Sequence, residues 1–300
     1  MRGLIGTQLS APGGGTSGRR EVVATIHPFA GLGHQLSGMI AAELWARDLG
    51  LALRPTRLPA DPTGVFFRES ASTASRRRRL VITRDERDAT SVEILRAQIV
   101  RHEHDRRRTL QFVFALDQPR WDQTPASEWL RANVLGGPLG PQLLQAEAAP
   151  PYIAIHIRRS WFEGDISEST HANRWIGNDW YVRLISALRN VHQLASLPIR
   201  VYSLGDAASF SSISSLANVE LHLNGEQNND LIELAAARVL VAAPSSFSFS
   251  AALISKGAVL ARYPWWHHIP SEGRWVRIGA DSRFSLDDMG RALLSTERFS

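Results

Sequence analysis

The sequence predicts an α/β fold built on parallel sheet, and three observations carry that expectation. β-rich apolar runs alternate with helical stretches through the second half. The first half opens on a strand, a glycine turn and a helix. Of the 300 residues, 44% are hydrophobic and 21% charged. Such alternation argues for a doubly wound sheet, and the proportions exclude a disordered chain. A chain of this length forms one large domain or two medium ones without covalent staples.

Residues 1–20 are rich in Gly, Ser, Pro and Thr with no apolar period and are expected to form a flexible leader. Val22 to Phe29 reads as a buried strand, and Leu36, Met39, Ile40 and Leu44 repeat at helical spacing behind the glycines. Between about Asp61 and Pro125, apolar pieces such as LVIT and LQFVFAL mix with two arginine runs, Arg76 to Arg79 and Arg106 to Arg108. Irregular strands and helices finishing the first half are expected there. Gly136 to Pro141 and Pro150 to Pro151 punctuate the chain, which puts the expected division at 21–148 and 149–300.

The alternation then becomes regular. Strand YIAIHI is followed by a long loop and a helix from Asp179, with Tyr181, Leu184, Ile185, Leu188 and Val191 on one stripe. Strands IRVYSL and VELHL, helix NDLIELAAA, strand VLVAA, helix SFSFSAALIS and strand AVLARY complete the series. Ligands of such sheets bind beyond the carboxyl ends of the strands, so residues just after each strand are the candidates.

Composition narrows the chemistry. With no cysteine, thiolate metal sites, iron–sulfur clusters and cysteine nucleophiles are impossible. Lys256 is the only lysine, so the formal charge of +5 rests on arginine, whereas nucleic-acid binders normally use both cations. No nucleic-acid partner is expected; peripheral association of a basic surface with an anionic membrane stays open. No run of about 18 uncharged apolar residues occurs and the opening holds only the short Leu4–Ile5 patch, so a soluble cytoplasmic protein is expected.

Three strand-to-helix junctions carry the candidate chemistry. His156, Arg158 and Arg159 end an otherwise apolar strand. Two adjacent guanidiniums there suit the oxygens of a pyrophosphate; alternatively one pairs with an internal acid and the other is solvated. Gly31, Gly33, His34 and Gln35 join strand to helix, where glycine admits close backbone approach and the helix N-terminus attracts anions, although a simple tight turn fits the same residues. Ser245, Ser246, Phe247 and Ser248 open another helix, with hydroxyls that either cap it or donate to a phosphate.

Two other clusters read differently. His102-Glu103-His104-Asp105 runs into arginines and lacks the i, i+4 histidine pair of a zinc helix, so a solvated charged face is expected and no metal site. Trp265-Trp266-His267-His268 is either a sugar-stacking platform or core packing.

Together these motifs resemble the α-1,2-fucosyltransferase family and, more loosely, its α-1,6 and protein O-fucosyltransferase relatives. The family's Gly-Leu-Gly-Asn-Gln-Leu is similar to Gly31 to Leu36, its His-x-Arg-Arg-Gly-Asp to His156 to Trp161, and its Asn-Ser-Ser-Phe-Ser-Trp-Trp to Ala243 to Phe249. Weaker echoes are Asn178 to Tyr181, Val201 to Ser203, and Asp230-Leu231 with Leu234. His34, Ser160-Trp161 and Phe249-Ser250 depart from the pattern.

The resemblance implies a GT-B architecture, two Rossmann-like domains facing across a cleft, and metal-independent, inverting transfer of fucose from GDP-fucose to a glycan hydroxyl. No cofactor is implied beyond the donor substrate. Arg158 would grip the diphosphate, with His156 and Arg159 in support and Ser245 to Ser248 completing the cradle. Ser203, Asp206 and Asp230 would lie near the nucleoside, and Gly31 to Gln35 would close from the opposite domain. Glu163, Asp165 and Glu168 compete for general base, with Asp165 chosen. The departures leave two alternatives, another nucleotide sugar or an idle nucleotide- or glycan-binding homologue.

Overall fold

The computed structural model describes residues 21–24, 29–54, 57–61, 66, 77–82, 87–101, 109–114, 120–159 and 174–297. The expected leader, the His102 to Asp105 cluster and Asp165 with its two competitors lie outside the described residues.

The first half carries a parallel four-stranded sheet in the order β2-β1-β4-β3, formed by β1 (Glu21–Ala24), β2 (Ala52–Leu53), β3 (Arg77–Ile82) and β4 (Thr109–Phe114). The stretch that resisted sequence reading supplies β3, β4 and α2 (Ala89–Arg101), and Arg77 to Arg79 belong to a strand.

Helix α1 (Leu32–Leu49) follows β1 and ends at Gly50, whose φ of 66° gives the left-handed turn that glycine adopts without strain. Its apolar residues form more than the expected stripe: Leu36, Met39, Ala41, Ala42 and Trp45 are all fully buried. The helix is covered on most sides because it packs on the first sheet and also against the second half of the chain. Helices α3 (Ser127–Gly136) and α4 (Gly140–Glu147) complete the connection.

The second half is a parallel six-stranded sheet, β10-β9-β8-β5-β6-β7. Its strands are β5 (Ile153–Ile157), β6 (Ile199–Ser203), β7 (Val219–Leu223), β8 (Val239–Ala242), β9 (Ala258–Arg262) and β10 (Trp275–Ile278), with the short helix α6 (Ser211–Ser214) between β6 and β7. The chain starts in the middle, moves outward through β6 and β7, then returns to the other side of β5 through β8. Strand order therefore reverses between β5 and β8, which opens a crevice at their carboxyl ends. Two parallel sheets with helices about them, and a cleft lined from both halves of the chain, are the α/β arrangement expected from the sequence.

Alternation at a period of two sorts the side chains. Ile153, Ile155 and Ile157 join Val239, Val241 and Leu260 beneath α5 (Asn178–Arg189) and α9 (Leu286–Glu297). Ala154, Leu240 and Ala242 face α7 (Gln227–Ala236) and α8 (Ser246–Ile254), in a core continuous with α1 and β1 of the first half. Strand β10 and helix α9 had no counterpart in the sequence reading.

Helix α8 is held firmly at its rear. Arg274 donates to Ala252 O at 2.5 Å and Gly257 O at 3.2 Å, and Arg131 donates to Ile254 O at 3.0 Å while pairing with both carboxylate oxygens of Glu147. Cations at a helix C-terminus satisfy its carbonyls and favour its dipole. The opposite end of α8, directed at the cleft, is thereby fixed in place.

Candidate functional site

A cleft of about 460 Å³ opens at the reversal between β5 and β8. Of the residues expected to bind a donor, it is lined by Gly31, Gly33, His34, His156, Arg158, Arg159, Ser203, Asp230, Ser245, Ser246 and Phe247. Three sequence-distant junctions thus converge because β1, β5 and β8 all end there.

Two helix N-termini meet in the cleft. Helix α1 starts after Gly31, and α8 starts after Ser245, whose hydroxyl accepts from the Phe247 N–H at 3.3 Å. A Cβ on Gly33 would lie 2.2 Å from Phe247 N and 2.5 Å from Ser246 C, so only glycine allows the two helix starts this approach. The partial positive charge of both ends faces the same space.

The two arginines of β5 have separate roles. Arg159 donates to Ile176 O at 3.2 Å and Asn178 Oδ1 at 2.7 Å, and its guanidinium lies 3.9 Å from the Trp175 ring centroid. It is an anchored wall of the cleft, held by carbonyl, amide and aromatic groups rather than by an acid. The Arg158 guanidinium has no hydrogen bond or ion pair among the described residues. Burial, and then the charge of Arg174, make its protonated form harder to hold than usual. An anion in the cleft would relieve both costs.

His156 shares the face of Ala154 and tilts toward Phe247, with ring centroids 5.5 Å apart. Burial and the neighbouring Arg158 charge push its pKa down to about 3, so the ring is neutral at physiological pH. Asp230 shifts the opposite way, up to about 6, through burial and the nearby charges of Glu226 and Glu233.

Three expected donor ligands do not line the cleft. Gln35 is buried and ties loop to loop, donating to Ala30 O at 2.8 Å and accepting from Ala60 N–H at 2.9 Å. Ser248 is buried and donates to Ala243 O at 2.9 Å within the α8 turn. Exposed Asp206 caps a 3-10 turn over Ala207–Phe210 by accepting from the N–H and hydroxyl of Ser209. Ser209 O in turn accepts from Asn178, the residue that holds Arg159, so Asp206 stands three links behind the cleft. Ser203 reaches the lining but donates to Ile157 O at 2.7 Å, tying β6 to β5.

Other residues enter that sequence reasoning missed. Arg174 lines the cleft and sits 4.5 Å over the Trp266 ring; no local pattern distinguishes it in a chain rich in arginine. Tyr202 and Gln227 also line it, and Gln227 donates to Ala60 O of the first half at 3.3 Å. In the Trp265 to His268 cluster, His267 is buried and Trp265 packs against the core, while Trp266 is half-buried and His268 is exposed. His267 is 2% exposed and lies flat on Phe249, with centroids 4.2 Å apart and planes inclined by 2°. No cluster of three metal-ligating side chains occurs among the described residues, and none of their helices is long and apolar enough to cross a membrane.

No protein-family model matches the chain, and no curated protein matches it. Among solved structures it is similar to POFUT1 in complex with GDP-fucose, at 11% identity and a TM-score of 0.46 over 81% of this chain and 95% of that one. An Arabidopsis thaliana FUT1 mutant in complex with GDP gives 13% identity and 0.43 over 84% and 72%. The E. coli heptosyltransferase WaaC with ADP gives 11% identity and 0.42 over 93% and 98%.

Proposed function

We propose that the cleft binds a nucleoside diphosphate sugar and that the protein is a metal-independent, inverting glycosyltransferase, moving fucose from GDP-fucose onto a hydroxyl of a glycan. The observation that carries this reading is Arg158: a half-buried guanidinium with no partner among the described residues, lining the same cleft as two helix N-termini at the strand reversal. In an inverting transfer the acceptor oxygen attacks the anomeric carbon as the diphosphate departs, and negative charge grows on the leaving phosphate. Groups already aimed at that charge lower the barrier without reorganising. Arg158 and the first-turn N–H groups of α1 and α8 suit that task, with anchored Arg159 shaping the wall. Asp165, one of three carboxylates that follow the arginines in sequence with Glu163 and Glu168, is assigned the acceptor proton.

Thermal unfolding with GDP, GDP-fucose, GDP-mannose, UDP-sugars and ADP, each with and without EDTA, tests the reading. A ligand that binds only the native state raises the midpoint. A GDP-selective rise that persists in EDTA and vanishes in Arg158→Ala is expected, followed by turnover of GDP-fucose with a glycan acceptor. A rise with ADP alone would replace the donor, and no rise with any nucleotide would overturn the reading.

A further inference from the structure

The cleft wall continues outward into two tryptophans to which the proposed donor site gives no task. Trp175 lies just before α5 and is 38% exposed, although an indole is among the side chains that gain most from burial. One face of its ring carries the Arg159 guanidinium at 3.9 Å, and Arg159 lines the cleft. Arg174 also lines the cleft and lies 4.5 Å over the ring of Trp266, which is half-buried. Because Arg174 and Trp175 are neighbours in the chain, the two indoles stand within one arginine's reach of each other at the rim.

Both rings are held from behind. The arginine on Trp175 is itself fixed by Ile176 O and Asn178 Oδ1. Trp266 meets Trp265 edge-on, with centroids 5.4 Å apart and planes at 87°, and Trp265 meets buried Phe249 in the same way at 5.8 Å and 80°. Arg277 ties the far end of that loop by donating from Nε to Ile269 O at 3.1 Å. Rigid aromatic side chains offer contact area at little cost in conformational entropy. Their faces carry partial negative charge, which a guanidinium satisfies on one side. A diphosphate gains nothing from a neutral, electron-rich face, so these rings suit a ligand other than the anion at Arg158. A pyranose fits them, because the C–H groups on one face of the sugar are weakly positive while its hydroxyls project into water.

We propose that Trp175 and Trp266 form the acceptor subsite, a platform on which a pyranose of the glycan stacks beside the donor. The proposal deepens the glycosyltransferase reading and rests on it for the acceptor's role. A nucleobase is the other flat ligand such rings could take, but a base is recognised by its hydrogen-bonding edge. Asp230 and Gln227 at the start of α7 line the cleft and supply groups of that kind. The Trp266 Nε1 is buried, so that indole presents apolar ring surface and not a donor.

Saturation-transfer NMR on the full chain reads the contact directly, with the methyl β-glycosides of galactose, glucose, mannose and N-acetylglucosamine as probes and GDP present or absent. At least one probe is expected to bind and to receive most saturation on the contiguous C–H protons of one ring face. Trp175→Leu and Trp266→Leu are each expected to weaken that probe about tenfold, as for loss of one stacked ring, while calorimetry shows GDP affinity unchanged. Trp175→Phe and Trp266→Phe keep a ring beneath the arginine and are expected to retain most of the binding, which separates stacking from a merely structural change. No binding of any probe, or binding that survives both Leu substitutions, would overturn the proposal. A fall in GDP affinity equal to the fall for the saccharide would overturn it as well, in favour of a nucleobase platform. Saccharide binding through the tryptophans in a protein that takes no nucleotide would instead overturn the donor reading and uphold the saccharide platform.

Discussion

Gly33 and Phe247 meet backbone to backbone: a Cβ on the glycine would stand 2.2 Å from the Phe247 nitrogen. Residues from the two halves of the chain are here joined at the first turns of α1 and α8. The joint both closes the shared core and sets the width of the cleft. A flexible side chain at this point could swing aside, but a helical backbone cannot.

Gly33→Ala is therefore expected to act on stability and on binding together. Overpacking that must move backbone costs about 3 kcal/mol, and the strain is relieved only by separating the two helix starts. Urea unfolding should show the lower midpoint, and the GDP-induced rise in melting temperature should shrink. Gly31, with no atom near its Cβ position, provides the control. If Gly33→Ala unfolds like the wild type, the close approach does not hold the halves together.

Arg158 and Arg159 are adjacent in sequence, yet substitution should separate them cleanly. Arg158→Ala removes a charge that no described residue partners and that sits beside Arg174, so thermal stability should be unchanged or slightly higher while transfer is lost. Arg159→Ala removes the bonds to Ile176 and Asn178 and the stack on Trp175. A loss of about 2 kcal/mol is expected from those bonds. Melting curves and initial rates on both variants check the contrast, and equal destabilisation would contradict the division of roles.

That division shows where the sequence was informative. The apolar run ending in His156-Ile157-Arg158-Arg159 placed two guanidiniums at a strand end, whereas the strand order that sets them beside the reversal comes from the structure. Which arginine is anchored depends on Asn178 and Trp175, residues brought back by a helix start about 20 positions later. Gln35, Ser248 and Asp206 have the polarity of ligands, but Gln35 is engaged by distant Ala60, and Ser248 and Asp206 by the turns in which they lie. Arg174 gave no signal because it is placed by stacking on Trp266, a long-range contact. Strand β3 was obscured by arginines, since a strand is read from apolar alternation and Arg77 to Arg79 interrupt it.

Asp230 gives a pH signature. Its folded pKa is raised to about 6, so between the ordinary carboxylate value and about pH 6 the native state holds a proton that the unfolded chain has released. Stability from this group is present at low pH and lost as pH rises through about 6. Asp230→Asn, neutral throughout, should unfold at a higher temperature than wild type at pH 8, with the difference closing below about pH 4. The gain should be a few degrees at most, because the carboxylate is only half buried and partly screened by solvent. A difference that does not vary with pH would mean the raised pKa is absent.

His267 has the opposite sign. Its folded pKa is lowered to about 3 by burial first and by His34 and Arg174 next, while an unfolded imidazole takes a proton near its ordinary value. Between those limits the unfolded chain binds the extra proton, so stability rises with pH there and is lost progressively on acidification. One such group contributes a slope of about 1.4 kcal/mol per pH unit. His267→Phe removes that slope while keeping the stacked ring, whatever it does to the absolute stability. Urea unfolding between about pH 6 and pH 4 should show the variant losing about 2 kcal/mol less than the wild type. The other titrating groups are common to both proteins and cancel in the comparison, and two parallel stability curves would mean that His267 is not held neutral in the fold.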